Sequence, residues 1–424
     1  MKKTLLLSVV ASTMIMAGGN IAPVEPVVET PVVVEKAPAW NFKGQAVAFT
    51  QTADSYGAGS LFSSDTTYAA VGVQLSAVNS NLIGGIGAGV EVSAIQSNDN
   101  PVIKGGGPAF YNFGGNAGNT SGGFTQAYLT YGLSKTSIKV GRQLLPKGLS
   151  PFAYSEGWQM FKNTMDAALV VNKSIPNTTL VYAYVDAANR SINGYADRGS
   201  FYDVGDRPAG SGPFVNNGGA VDGAHMIAAQ NKSIAGLTLT GSYYYASNFV
   251  DAGDTSIIWG DAKYNAGLFN IAVQGGQISP DLLDSTSAVG VKLGAKFAGI
   301  FTAAVAYTSV GDGAVGMSNL ATGIKSPLYT QMLLNNVGQF HAKPGSDFLK
   351  VSGTIKALGG KFILGYGDGS NSLAGNDTTY SEIDVMYKAK LSKNITGFAA
   401  YGYTDISSSA DSSNFVRFWA RYSF

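Results

Sequence analysis

The residues of this chain that could do chemistry are few in kind. There are no cysteines and only two histidines, His225 and His341. Thiolate nucleophiles, disulfide frameworks and histidine-rich metal sites are therefore excluded. A hydrolytic centre needs a nucleophile, a base and an orienting group in fixed relation. His225 has Ser and Asp residues nearby without a characteristic spacing, and His341 falls in a predicted loop, so no catalytic residues are assigned and the chain is not read as an enzyme. What remains is charge, and only 13% of residues carry it, about half the usual ~25%. The basic residues Lys139, Lys292, Lys296, Lys350, Lys356, Lys388, Arg417 and Arg421 all fall on the polar parity of alternating segments. Arg142 joins them if its segment ends or bulges after Val140. Glu91, Asp166, Asp261, Glu382 and Asp384 share that parity, and Glu156 lies in an intervening loop. A row of cations facing such acids would orient dipolar or charged solutes and set ion selectivity.

The elements that must carry these charges have a period of two. In 82–94, Leu82, Ile86, Ala88, Val90, Val92 and Ala94 share one face, and Gly85, Gly87, Gly89, Glu91 and Ser93 the other. The same alternation runs through 286–297 and 379–391. Successive strand side chains point to opposite faces. A soluble sandwich would bury the apolar face, whereas a membrane barrel turns it to lipid and the polar face to water. Eighteen candidate strands fit between residues 40 and 424, with sixteen within the error of the boundaries. Short turns, one of them expected at 79–81, alternate with long loops at 52–65, 97–122, 145–163, 188–221 and 310–345. That asymmetry is the mark of an all-β transmembrane antiparallel barrel, with short periplasmic turns and long extracellular loops.

The termini agree with export. Lys2 and Lys3 precede the short apolar run Leu5 to Ala17 and the small residues Ala17-Gly18-Gly19, which predicts a signal peptide over 1–19. Residues 20–39 form a Pro/Val/Glu-rich periplasmic leader, and 40–424 the barrel. The last strand ends on Phe424, with Tyr422 on the same face, and resembles the signal read by the outer-membrane assembly machinery; Trp419 stands where that signal usually has a small residue. Trp40, Tyr128, Tyr131, Tyr264, Tyr387 and Tyr422 fall near strand ends and are candidates for aromatic girdles. A net charge of +1 gives no footing for nucleic acid. No cofactor is expected; the carboxylates of Asp197–Asp206 are of the kind that hold calcium, but they lack EF-hand spacing and Arg198 and Arg207 interleave.

A barrel of sixteen to eighteen strands leaves an aqueous channel. Something must narrow it. Loop 145–163 carries Phe152, Tyr154, Trp158 and Phe161, which suit an enclosed site, so the loop is expected to fold inward and form the constriction. Loop 310–345, with Leu320, Leu328, Tyr329, Leu333, Leu334 and Phe340, is the second candidate; a cap over the mouth or a contact with a neighbouring subunit is the alternative for both.

The segment Val140-Gly141-Arg142-Gln143, the Pro-containing loop after it, Asn163-Thr164-Met165-Asp166-Ala167 and Ile175-Pro176-Asn177-Thr178-Thr179-Leu180 through Tyr184 resemble the corresponding stretch of OprD-like porins. The nearest likeness is to the major outer-membrane porins of epsilonproteobacteria, and it covers about 50 residues, 140–190. The resemblance implies an eighteen-stranded channel, often a homotrimer, narrowed by its third and seventh loops. It also implies a lumenal basic ladder, here Lys292, Lys296, Lys350, Lys356, Arg417 and Arg421, and passage of small hydrophilic, often carboxylate-bearing, solutes. The expected function is thus passive diffusion through an outer-membrane, lipid-embedded pore. The alternative is a non-conducting structural or adhesin-type barrel.

Overall fold

Alternation builds strands here, and the hydrogen-bonding needs of their backbones close them into a ring. A computed structural model describes residues 39–54, 59–63, 66–97, 120–158, 160–188, 202–203, 223–250, 253–297, 299–320, 325–334, 340–372, 377–409 and 412–424. The signal segment, the leader up to residue 38 and most of Asp197–Asp206 lie outside the described residues. The strands are β1 (Asn41–Ala53), β2 (Thr67–Ile83), β3 (Ile86–Ser97), β4 (Thr120–Leu133), β5 (Thr136–Gln143), β6 (Met165–Asn172) and β7 (Thr178–Ala188). After the two-residue β8 (Tyr202–Asp203) come β9 (Ala224–Asn231), β10 (Leu237–Val250), β11 (Gly253–Ala266), β12 (Phe269–Pro280), β13 (Thr286–Phe297) and β14 (Phe301–Val310). The last five are β15 (Ser346–Ala357), β16 (Gly360–Asn371), β17 (Thr378–Lys390), β18 (Ile395–Ile406) and β19 (Ser413–Ser423).

Each wall strand pairs antiparallel with its sequence neighbours, β7 pairs directly with β9, and β8 only flanks the end of β7. Eighteen strands therefore form the wall. β19 returns to β1 in register from Gln45↔Ser423 to Ala53↔Phe415, so no edge is left open. In hydrocarbon each unpaired N–H or C=O would cost several kcal/mol, which is why closure is obligatory.

The faces are inverted relative to a soluble protein. On β13, Val289, Val291 and Leu293 are 61%, 38% and 50% exposed, whereas Lys292 between them is 5% exposed. The apolar face thus looks out and the charged face looks in. The expected turn at 79–81 is displaced: β2 runs on to Ile83, which pairs with Ile86 across Gly84-Gly85. Both glycines hold positive φ, 58° and 84°, the geometry of a two-residue hairpin whose twist matches its strands.

Candidate functional site

The lumen is crossed by the two loops that sequence reasoning singled out. Loop 145–163 starts from β5 and first meets the β10–β11 wall. There the Phe152 ring sits edge-on to Tyr244 at 5.8 Å and to Trp259 at 5.3 Å. Its later half lies against the far wall. Trp158 packs on Phe398 of β18 and Phe415 of β19, while Met160 and Phe161 join Val47, Phe49, Ala70 and Ile95 of β1 to β3. The loop is a strap from one side of the barrel to the other. β2 admits it through Gly72, where a Cβ would run into Met160 Sδ and, at 2.9 Å, the Phe161 ring.

Loop 310–345 also folds inward. Met332 lies over Gly365 and Gly367 of β16, and Leu334 over Gly402 of β18. Two acids of β17 cap its backbone: the Leu333 N–H donates to Asp384 Oδ2 at 2.9 Å and the Leu334 N–H to Glu382 Oε1 at 2.5 Å. Lys350 of β15 donates to the Gln331 carbonyl at 2.6 Å, and Lys325 within the loop donates to the Leu333 carbonyl at 2.9 Å. Glu382 and Asp384 are therefore not solute-facing counter-charges to a ladder. They are spent on amide groups.

The two loops are joined to each other. Asn319 Nδ2 donates to the Tyr154 carbonyl at 2.8 Å and to Glu156 Oε1 at 2.9 Å. Glu156 Oε1 also accepts the Lys325 N–H at 3.1 Å, the Leu320 N–H donates to the Phe152 carbonyl at 2.7 Å, and Lys147 Nζ donates to the Ser326 carbonyl at 2.7 Å. Burial pushes the Lys147 ammonium down from its ordinary 10.5 to about 7, with Glu156 pulling it back up. Burial likewise lowers Lys325 to about 8, against the same Glu156. Glu156, expected as an acid of the constriction, is the buried joint of this two-loop partition.

The strand positions sort the remaining expectations. Lys139, Lys292, Lys296, Lys350, Lys356, Lys388, Arg417, Arg421 and Glu91 lie on the inward face by register. Lys139 sits 3.7 Å from the centroid of the Tyr128 ring, so Tyr128 also points inward and is not part of a girdle. Arg142 and Asp166 are corrections. They stand opposite each other at the ends of β5 and β6, on the face of Val140 and Ala168, away from the lumen. Arg142 Nε meets Asp166 Oδ1 at 3.0 Å, and Nη2 meets Oδ2 at 3.2 Å. Gly141 takes a φ of 116°, but pairing runs through it without a register shift. Arg142 is three residues from the inward Lys139 and so faces the other way. Asp166 is outward because Ala167 and Leu169 hold the inward positions of β6 and pack with Val185 and Ala183 of β7.

Sequence reasoning did not single out Lys263 and Lys361. Lys263 is inward on β11 beside Asp261, with which it pairs. Lys361 stands directly between Lys356 and Lys388 across β15, β16 and β17. Counting parity from Ile363 would have found it. His225 lies on the outward face, where Tyr182 Oη meets its Nδ1 at 3.0 Å. Tyr422 and Phe424 face outward with ring centroids 5.6 Å apart, and Trp419 turns inward to stack on Phe398 at 5.1 Å.

No family model and no curated protein sequence matches the chain. Solved barrels do. OccAB3 of Acinetobacter baumannii superposes with a TM-score of 0.68, covering 91% of this chain and 99% of its own, at 14% identity. The fold is that of the Occ porins. Pseudomonas aeruginosa OccK2 (OpdF), solved in complex with glucuronate, gives 0.68 at 13% identity over 91% of this chain and 98% of its own. A BenF-like porin from Pseudomonas fluorescens Pf-5 gives 0.68 at 14% identity over 92% and 99%. The likeness covers 91–92% of this chain, so the fold is shared with these barrels while, at 13–14% identity, most side chains differ.

Proposed function

We propose that this protein is an integral outer-membrane channel for passive diffusion of ions and small hydrophilic solutes. The observation that carries the reading is the lumen. An eighteen-stranded wall keeps its charged face inward, and two infolded loops narrow the interior. Charge on a lipid face is costly, whereas in a water-filled lumen it is solvated and tunes selectivity. The inward cations, with Lys356, Lys361 and Lys388 directly adjacent, favour small anionic solutes. The relative bound to glucuronate supports the same class of solute. In this reading the chain is not an enzyme. Residues 1–19 direct export, Tyr422 and Phe424 present the assembly signal, and three copies associate in the membrane.

The test is single-channel recording of the refolded protein in a planar bilayer under a salt gradient. Stepwise openings with a reversal potential on the anion-selective side are expected. A folded, inserted protein that never conducts would replace the channel with a structural barrel.

A further inference from the structure

Arg417 and Arg421 occupy inward positions on β19, where rungs of a solute-facing ladder would stand. Their contacts say otherwise. Arg417 is 2% exposed. Its Nη1 donates to the Trp158 carbonyl at 2.6 Å, its Nε donates to Gln51 Oε1 at 3.1 Å, and its Nη2 donates to the same oxygen. The guanidinium lies 3.8 Å from the centroid of the Trp158 ring, with Phe49 at 4.8 Å and Phe415 at 5.3 Å. Arg421 repeats the pattern two inward positions further on: Nη2 donates to the Met160 carbonyl at 2.9 Å and Nη1 to Gln45 Oε1 at 2.5 Å. Two arginines of one strand thus hold two carbonyls of one loop, and two glutamines of β1 orient the forks. A planar guanidinium can donate in two directions while stacking on an aromatic face; an ammonium cannot reproduce that combination.

We propose that Arg417 and Arg421 are positioning residues that hang the Trp158–Phe161 half of loop 145–163 on the β19–β1 wall, and that they are not rungs of a selectivity ladder. The electrical part of this inference rests on the channel reading; the positional part does not. The other half of the loop keeps its own anchor at Phe152, so loss of the arginines frees one end of the strap.

The experiment compares the wild type with Arg417→Lys and Arg417→Gln in refolded barrels, folding being checked by heat-modifiable gel migration. Trypsin is added, and cleavage after Lys147 and Lys162 is mapped; conductance and reversal potential are recorded in parallel. Lysine keeps the charge and loses the fork. Positioning therefore predicts that both variants lose trypsin resistance in the loop and conduct more, with noisier openings and an unshifted reversal potential. A ladder rung predicts that Arg417→Lys matches the wild type in both assays while Arg417→Gln alone shifts the reversal potential toward cations, and that result overturns the proposal. If the Arg417 variants do not fold, the same pair at Arg421 decides. A wild type that never conducts removes the channel reading, while the cleavage map still settles where the loop is held.

Discussion

Lys147 shows what a charge costs inside a packed loop. Its ammonium lies half-buried against Ser326 of the other loop, near Glu156, Lys263, Lys325 and Asp261, and burial brings it from 10.5 to about 7. An undocked loop would hold that proton up to its ordinary value, and the docked loop releases it above about 7. Docking is then weakest below that point and strengthens as pH rises through the window between the two values. Lys325 shifts in the same direction, to about 8. Brief openings and current noise should therefore decrease as pH rises from about 7 toward 10.5, and Lys147→Met should flatten that dependence. A wild-type noise level independent of pH would show that Lys147 does not report on docking. The carboxylates of β17 make a second case. Leaving a buried N–H unpaired costs about 1–3 kcal/mol, so the double change Glu382→Ala, Asp384→Ala should release loop 310–345. The measure is protease sensitivity after Lys325 with the barrel still folded.

At the scale of elements, the partition is one unit made of two loops with opposite anchoring chemistry. Guanidiniums of β19 hold the carbonyls of one loop, and carboxylates of β17 hold the N–H groups of the other. Glycines in the wall let the loops approach it. Gly72→Val would fill the space now taken by Met160 and Phe161, lift that half of loop 145–163 and raise conductance without changing the strand ladder. Gly367 does the same for Met332. Phe152→Ala would remove the other anchor, at about 3–5 kcal/mol for a buried aromatic, and the loss would register as earlier loop cleavage on heating.

For the whole molecule, closure and charge distribution act together. Closure sets eighteen staves and a lumen, and register then decides which charges enter it. Lys356, Lys361 and Lys388 stand side by side on three strands, an arrangement that like charges disfavour unless anions or water attend them. Converting all three to Glu should move the reversal potential toward cations, with conductance of the same order, because these side chains stand on the inward face of the wall strands. An unmoved potential would place selectivity elsewhere, with Lys263 and Lys292 the next candidates.

The wall was legible in the sequence because strand periodicity is local: alternation at 286–297 or 379–391 needs no distant residue to be recognised, and the boundaries of β15 are those read from the chain itself. The aromatic content of loop 145–163 likewise announced enclosure. The turn at Gly84-Gly85 was missed because Leu82 and Ile83 continue an apolar pattern across a bulge. Arg142 and Asp166 were misplaced because one residue of register reverses a side chain, and register is set by pairing with β4 and β7. What only the tertiary structure decided is the partner of each inward charge. Arg417, Glu382 and Lys350 face inward by parity, yet all three are bound to loop backbone, and Glu156, expected as an acid of the constriction, is the joint between the loops. Those contacts join residues far apart in the chain, so no local pattern encodes them; they exist only once the barrel has closed around its own loops.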